Sequence, residues 1–180
     1  MKISLPKLKA IILYFGTYTD PNFLGKVKLM KLFYFFDFMH VKKFGAPVTY
    51  DSYVNLEYGP IPSAIKNLVD TADDDADNSV LADTISVQKI EGMDIHRVIP
   101  TRKFSENDKK HFSDNELDIL KKICLRFGSS NTKDIVDASH KEAPWKKTKL
   151  LDPIPYTLAT KDSDCLVSEE EIRLLTCIFE

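Results

Sequence analysis

The sequence predicts an α+β fold, predominantly α-helical, built on a buried central helix with a small antiparallel β-hairpin or sheet beside it. Three observations carry this expectation. Between about Gly25 and Phe44, Val27, Leu29, Met30, Leu32, Phe33, Tyr34, Phe35, Phe36, Phe38, Met39 and Val41 cover nearly the whole circumference of a helix, and a helix apolar all round is buried. Several other stretches repeat apolar residues at three- and four-residue steps, the spacing of one helix face. Finally, Ile85-Ser86-Val87-Gln88-Lys89-Ile90 and Ile95-His96-Arg97-Val98-Ile99, rich in β-branched residues, flank the short loop Glu91-Gly92-Met93-Asp94, which is a hairpin signal.

Taken in order, Leu5, Leu8, Ile11, Ile12 and Phe15 predict an amphipathic helix that Gly16 stops. The central helix follows and ends at Gly45 and Pro47, because Gly tolerates a left-handed cap and Pro cannot continue the ladder. Most of the 11 Phe and 7 Tyr lie between Tyr14 and Tyr58, so the first third of the chain should organise the core. Val48 to Tyr58 alternates apolar and polar residues and reads as an extended segment. Gly59-Pro60-Ile61-Pro62 breaks it, and Pro62 opens a short helix over Ser63 to Val69. The acidic run Asp70 to Asp83 then reads as a loop. Ser113 and Glu116 form a capping-box pattern ahead of Leu117, Ile119, Leu120, Ile123, Cys124 and Phe127, with Gly128 as the stop. Another helix starts near Asn131 or Thr132 and runs through Ile135, Val136 and Ala138, and Pro144-Trp145 restarts a turn. Ser168 and Glu171 repeat the capping box before Ile172, Leu174, Leu175 and Ile178, so the chain ends in a helix. No internal repeat or linker divides it, and residues 1–180 read as one domain.

Composition narrows the function. With 43% hydrophobic and 29% charged residues, 9 Pro and 6 Gly, the chain is an ordinary globular protein. A net charge of −2 offers no global cationic excess for releasing counterions from a nucleic-acid backbone. The apolar run Leu32 to Phe36 is bounded by Lys31 and Asp37, far short of the roughly 20 residues that span a bilayer. Lys7 and Lys9 interrupt the N-terminus where a signal peptide needs an apolar stretch. The reading is a cytoplasmic protein without membrane attachment. Cys124, Cys165 and Cys177, odd in number and without C-x-x-C spacing, suit reduced thiols.

Active-site patterns are scarce. His40, His96, His111 and His140 have no second His or Cys at metal-ligand spacing. Asp73, Asp75 and Asp77 imitate a calcium loop, but Asn78 stands where Gly is needed and Thr84 where Glu is needed. No metal or cofactor is therefore expected. Ser139 and His140 are adjacent, about 100° apart on a helix, and cannot by themselves make a nucleophile and base pair. No G-x-S-x-G or glycine-rich phosphate loop is present, so an enzyme is disfavoured. A hydrolase would need His140 and Glu142 in one cleft with a nucleophile in reach. Asn115 to Phe127, a Gly-Ser-Ser-Asn turn and Thr132 to His140 have the outline of a helix-turn-helix, which makes a DNA-binding regulator the alternative function. Lys133, Lys141, Lys146, Lys147 and Lys149 are mixed there with Asp134, Asp137 and Glu142, which confines any phosphate-facing surface to the C-terminal side.

Several pieces combine into a family pattern. Lys28-Leu29-Met30-Lys31-Leu32-Phe33-Tyr34-Phe35, His40, Phe44-Gly45-Ala46-Pro47-Val48 and Glu57-Tyr58-Gly59-Pro60-Ile61-Pro62, with Ser139-His140 and Pro144-Trp145 downstream, resemble the Panacea domain, the GepA/SocA-like family of phage- and mobile-element-associated proteins. The resemblance covers roughly residues 5–150, leaving 151–180 as a C-terminal extension. It implies a non-catalytic antitoxin that neutralises a toxin encoded beside it by direct contact, some members being linked to proteolytic adaptor activity. Position by position, Tyr34, Tyr58, Gly59, Pro60, His140 and Trp145 match the signature. Each also has a structural reading, as a turn former or as an aromatic filling the core. A protein partner would be held by aromatic anchors inside a polar rim, and Tyr53, Tyr58, Trp145 and Tyr156 are the candidates expected at loop or edge positions.

Overall fold

The computed structural model describes residues 1–177. Helix α1 (Leu5–Tyr18) buries Leu8, Ile11, Ile12 and Phe15. Gly16 does not stop it: a Cβ there would stand 2.8 Å from Pro100 Cγ, so the missing side chain admits a neighbouring segment instead. Helix α2 (Lys26–Phe44) is the predicted central helix. It ends where Gly45 turns left-handed, φ +80°, and donates its amide to the Val41 carbonyl. Phe33, Phe35, Phe36 and Phe38 are fully buried, and burying each such ring stabilises the fold by roughly 2–3 kcal/mol. Phe15 meets Phe33 edge-on at 5.5 Å, joining α1 to α2.

Strands β1 (Tyr53–Leu56) and β2 (Gly59–Pro62) form an antiparallel hairpin, with Tyr53 opposite Pro62 and Leu56 opposite Gly59. The segment expected to break the strand is thus a strand itself. Its prolines are tolerated because β2 lies at the sheet edge, where a missing amide leaves no ladder bond unmade. The extended stretch before β1 pairs with nothing in the sheet because side chains claim its backbone: the Asp37 carboxylate accepts from the amides of Val48 and Thr49, each at 2.8 Å.

Helix α3 (Ser63–Asp74) runs five residues beyond the expected end at Val69. Distant side chains secure both of its ends, and the one at the C-terminal end explains the extra length. Asp51 accepts from the amides of Ala64 and Ile65 and caps the helix from a distance. Asp70 and Asp73 are neutralised by Lys26. A 3-10 turn, Ala76–Asn78, follows. Strands β3 (Ile85–Lys89) and β4 (His96–Pro100) form the expected hairpin, a separate two-stranded sheet. Short helix α4 (Glu106–Lys109), not expected from the sequence, carries a capping box from Ser105 and Asp108. Helix α5 (Asp114–Phe127) has the expected Ser113–Glu116 box, and α6 (Thr132–His140) is capped by Asn131. Helix α7 (Ala143–Lys146) is the turn at Pro144-Trp145.

Strand β5 (Pro153–Ile154) pairs with β1 and completes a three-stranded sheet of order β2-β1-β5. A 3-10 segment, Tyr156–Lys161, leads to helix α8 (Glu169–Cys177), whose Ser168–Glu171 cap is formed as expected. Ile178, read as the last apolar position of that helix, lies outside the described residues. The fold is α+β and predominantly helical, with α2 buried at its centre.

Candidate functional site

Helix α2 is not apolar all round. Lys28, Lys31, Asp37 and Lys42 are buried within it, and a buried charge must find partners. Each reaches a different segment of the chain. The Lys28 ammonium donates to the carbonyls of Gly128 and Ser130 and holds the turn between α5 and α6. Asp37 gathers the Val48–Thr49 amides and the hydroxyls of Thr49 and Tyr53. Burial pushes its carboxyl above the ordinary range, against the pull of those donors. Lys42 meets Glu142 at 3.1 Å, Asp162 at 3.0 Å and Asp164 at 3.0 Å. Burial alone would lower this ammonium, but the surrounding carboxylates outweigh it and hold the pKa above the usual value.

Lys31 is the residue that builds the site. It is fully buried, and its ammonium donates to the Pro60 carbonyl at 2.8 Å. Burial pushes its pKa down to about 7. Lys31 and Tyr34, three residues apart, share one helix face, and both look toward the β1–β2 hairpin and α6–α7. The Tyr34 hydroxyl donates to Glu142 at 3.2 Å. Burial, with the Glu142 charge beside it, drives the Tyr34 pKa far up. Burial likewise raises Glu142.

The hairpin is gripped on its other flank as well. Trp145 donates from Nε1 to the Leu56 carbonyl at 3.3 Å. Asn55 donates to the carbonyls of Trp145 and Thr148. The His140 ring stacks on Trp145, centroids 3.9 Å apart and planes within 16°. Burial, then the Lys31 charge, lowers the His140 pKa, and its Nε2 is buried without a hydrogen-bond partner. Gly59, at φ +91°, lies where these elements meet: a Cβ would stand 2.6 Å from Ser139 Oγ, 2.9 Å from Lys31 Cε and 3.3 Å from His140 Nε2. The signature residues Gly59, Pro60, His140 and Trp145 are therefore one packed cluster, linked to Tyr34 through α2. Lys31, Ser139 and Asn55 belong to it too. The family motifs contain Lys31 and Ser139, whereas Asn55 lies outside them.

The four aromatic candidates fall in two places. Tyr58 projects from the hairpin tip, 62% exposed, with half-buried Trp145 behind it. Tyr53, expected at a loop or edge, stands on the central strand, 2% exposed, its hydroxyl committed to Asp37. Tyr156 is half-buried and donates to the Asp51 carbonyl at 2.7 Å. It packs on Phe38 and lines, with Tyr53, Ile154 and Thr176, an open cavity of about 500 Å³ at the other end of the sheet. Tyr53 and Tyr156 thus serve the Asp37 network, whereas Tyr58 faces outward.

His140 and Glu142 belong to separate networks, one packed on Trp145 and the other on Tyr34 and Lys42. The Ser139 hydroxyl donates to Val136 and is fully buried. On the α5–α6 pair, Lys122 is paired to Asp118 and Lys133 to Asp137, so the exposed surface is of mixed sign. Among the described residues, no group of His, Cys, Asp and Glu is arranged to hold a metal ion, and no helix is long and apolar enough to cross a membrane. Cys124, Cys165 and Cys177 are free, and burial pushes the Cys124 thiol up to about 12.

These contacts define a helical α+β fold in which the β1–β2 hairpin tip faces outward from a frame of buried polar grips. The family model described as antitoxin SocA-like, Panacea domain, matches residues 29–146, and the chain belongs to that family. The matched span opens inside α2 and closes at the end of α7, so it contains the whole cluster around Gly59. No curated protein and no solved structure matches the chain.

Proposed function

We propose that this protein is a non-catalytic, cytoplasmic antitoxin that neutralises a toxin encoded beside it by direct contact, the hairpin tip carrying the central anchor. The observation behind this reading is Tyr58: a largely exposed aromatic on a hairpin held rigidly by Lys31, Asn55 and Trp145. A tip whose main chain is held before binding loses little backbone freedom on association, which favours affinity. The cluster behind it supports binding over catalysis, since a methyl group at Gly59 would collide with Ser139 and Lys31 and the buried Ser139 hydroxyl is committed to the Val136 carbonyl.

Co-expression with the product of the adjacent gene tests the reading, scored by growth rescue and co-purification together. Rescue with a stable complex is the expected result. Tyr58→Ala in a folded protein should weaken the complex by roughly 2 kcal/mol, the scale of an interface anchor; unchanged binding would move the interface elsewhere. Toxin abundance separates the two modes of neutralisation: direct inhibition leaves it constant, while a proteolytic adaptor shortens its half-life.

A further inference from the structure

The surface around Tyr58 has a chemistry of its own. The segment after α7 runs along the hairpin: the Leu151 amide donates to the Asn55 carbonyl at 2.8 Å, and the Asn55 amide to the Asp152 carbonyl at 2.9 Å. This places Leu150 and Leu151, 61% and 71% exposed, alongside β1 at Asn55, three residues before Tyr58. Leu151 is held at φ +70°, a conformation costly for a branched side chain. Lys146, the last residue of α7, and Lys147 and Lys149 after it are exposed, and among the described residues none of their ammonium groups has a carboxylate partner. Two carboxylates stand nearby, Glu57 at the tip and Asp152, and the latter accepts from the Lys149 main-chain amide. Exposed Lys109, Lys122 and Lys133 are differently placed, each paired with a carboxylate three or four residues away.

The geometry points to a docking surface for an acidic protein partner: an apolar centre of Tyr58, Leu150 and Leu151, rimmed by Lys146, Lys147 and Lys149, that fits a toxin face with an apolar patch ringed by carboxylates. This rests on the antitoxin reading and specifies its partner. Charge complementarity selects the occupant. A second copy meeting face to face would set lysines against lysines. A nucleic-acid backbone would use the ammonium groups but leave two leucines and a tyrosine without a role.

The test uses the full chain and the purified product of the adjacent gene, with affinity measured at about 50 and 300 mM salt. The wild-type protein should bind more weakly at the higher salt. Lys146→Glu/Lys147→Glu/Lys149→Glu should weaken binding roughly tenfold or more at low salt, and carboxylate-to-lysine changes on the toxin should restore it. Lys89→Glu, on the distant β3–β4 hairpin, should bind as wild type. Because all three lysines are exposed, unchanged circular dichroism and melting are the expected folding controls. If the triple variant binds and rescues like wild type, the surface is wrong while the antitoxin reading stands. If the wild type neither binds nor rescues, that reading falls and takes this surface with it. If the triple variant loses retardation of a DNA duplex from its own operon while toxin binding persists, the lysines serve nucleic acid and the proposal is overturned.

Discussion

At Gly59 a left-handed backbone coincides with close packing by Ser139, Lys31 and His140. Gly59→Ala adds a side chain to both a strained φ and an occupied space, and should destabilise the protein by roughly 2–4 kcal/mol, read as a lower midpoint in urea. Lys31 makes a pH-dependent prediction. Folded, burial lets it lose its proton at about 7, whereas the unfolded chain keeps that proton to about 10.5. Below pH 7 both states are charged and the full burial penalty applies. Between those values the unfolded state binds more protons, so raising the pH favours folding. Comparing wild type with Lys31→Met at pH 7 and pH 10 should show the wild type gaining roughly 2–4 kcal/mol relative to the variant; equal slopes would show that Lys31 titrates normally. The sequence contained the clue to this residue. Lys31 stands between Met30 and Leu32 in the most apolar stretch of α2, and a lysine buried there must have an acceptor. Its acceptor, a carbonyl 29 residues away, was beyond the reach of local pattern.

Among the elements, those with local signals were legible and those stabilised from afar were not. Helices α5 and α8 carry their caps in their own sequence, Ser113 with Glu116 and Ser168 with Glu171, and both were anticipated. Helix α3 lacks a side-chain cap of its own; Asp51, more than ten residues upstream, supplies it. Its C-terminal turn runs past Val69 because Lys26, from α2, neutralises Asp70 and Asp73. At the other end, Asp51→Ala should therefore cost roughly 1–3 kcal/mol in thermal or urea denaturation, with the loss of amide protection concentrated in the first turn of α3. Strand β2 was missed because its two prolines read as a break, and only its place at a sheet edge makes them acceptable.

Across the whole molecule, α2 acts through polar contacts as much as through its phenylalanines. Lys28, Lys31, Asp37 and Lys42 each secure a segment distant in sequence. The residues after 150, which lie beyond the matched family span, are tied into this frame: β5 pairs with β1, Tyr156 donates to Asp51, and Asp162 meets Lys42 and accepts from the Ala143 amide. Deleting residues 151–180 should therefore lower the melting temperature sharply or prevent folding, and would leave Lys42 short of carboxylates. A truncated protein that melts like the full chain would show the segment to be dispensable. The signature residues were identifiable from their motifs, but their convergence on Gly59 was not, because it joins three stretches far apart in the chain.

The grips on the hairpin have a consequence for how such a protein changes over time. Lys31 holds the Pro60 carbonyl, and Trp145 holds the Leu56 carbonyl. Both contacts are with main-chain atoms, which every amino acid supplies. Residues 57 and 58 at the tip can therefore be exchanged without loosening what holds them, so partner preference can drift while the supporting framework stays the same.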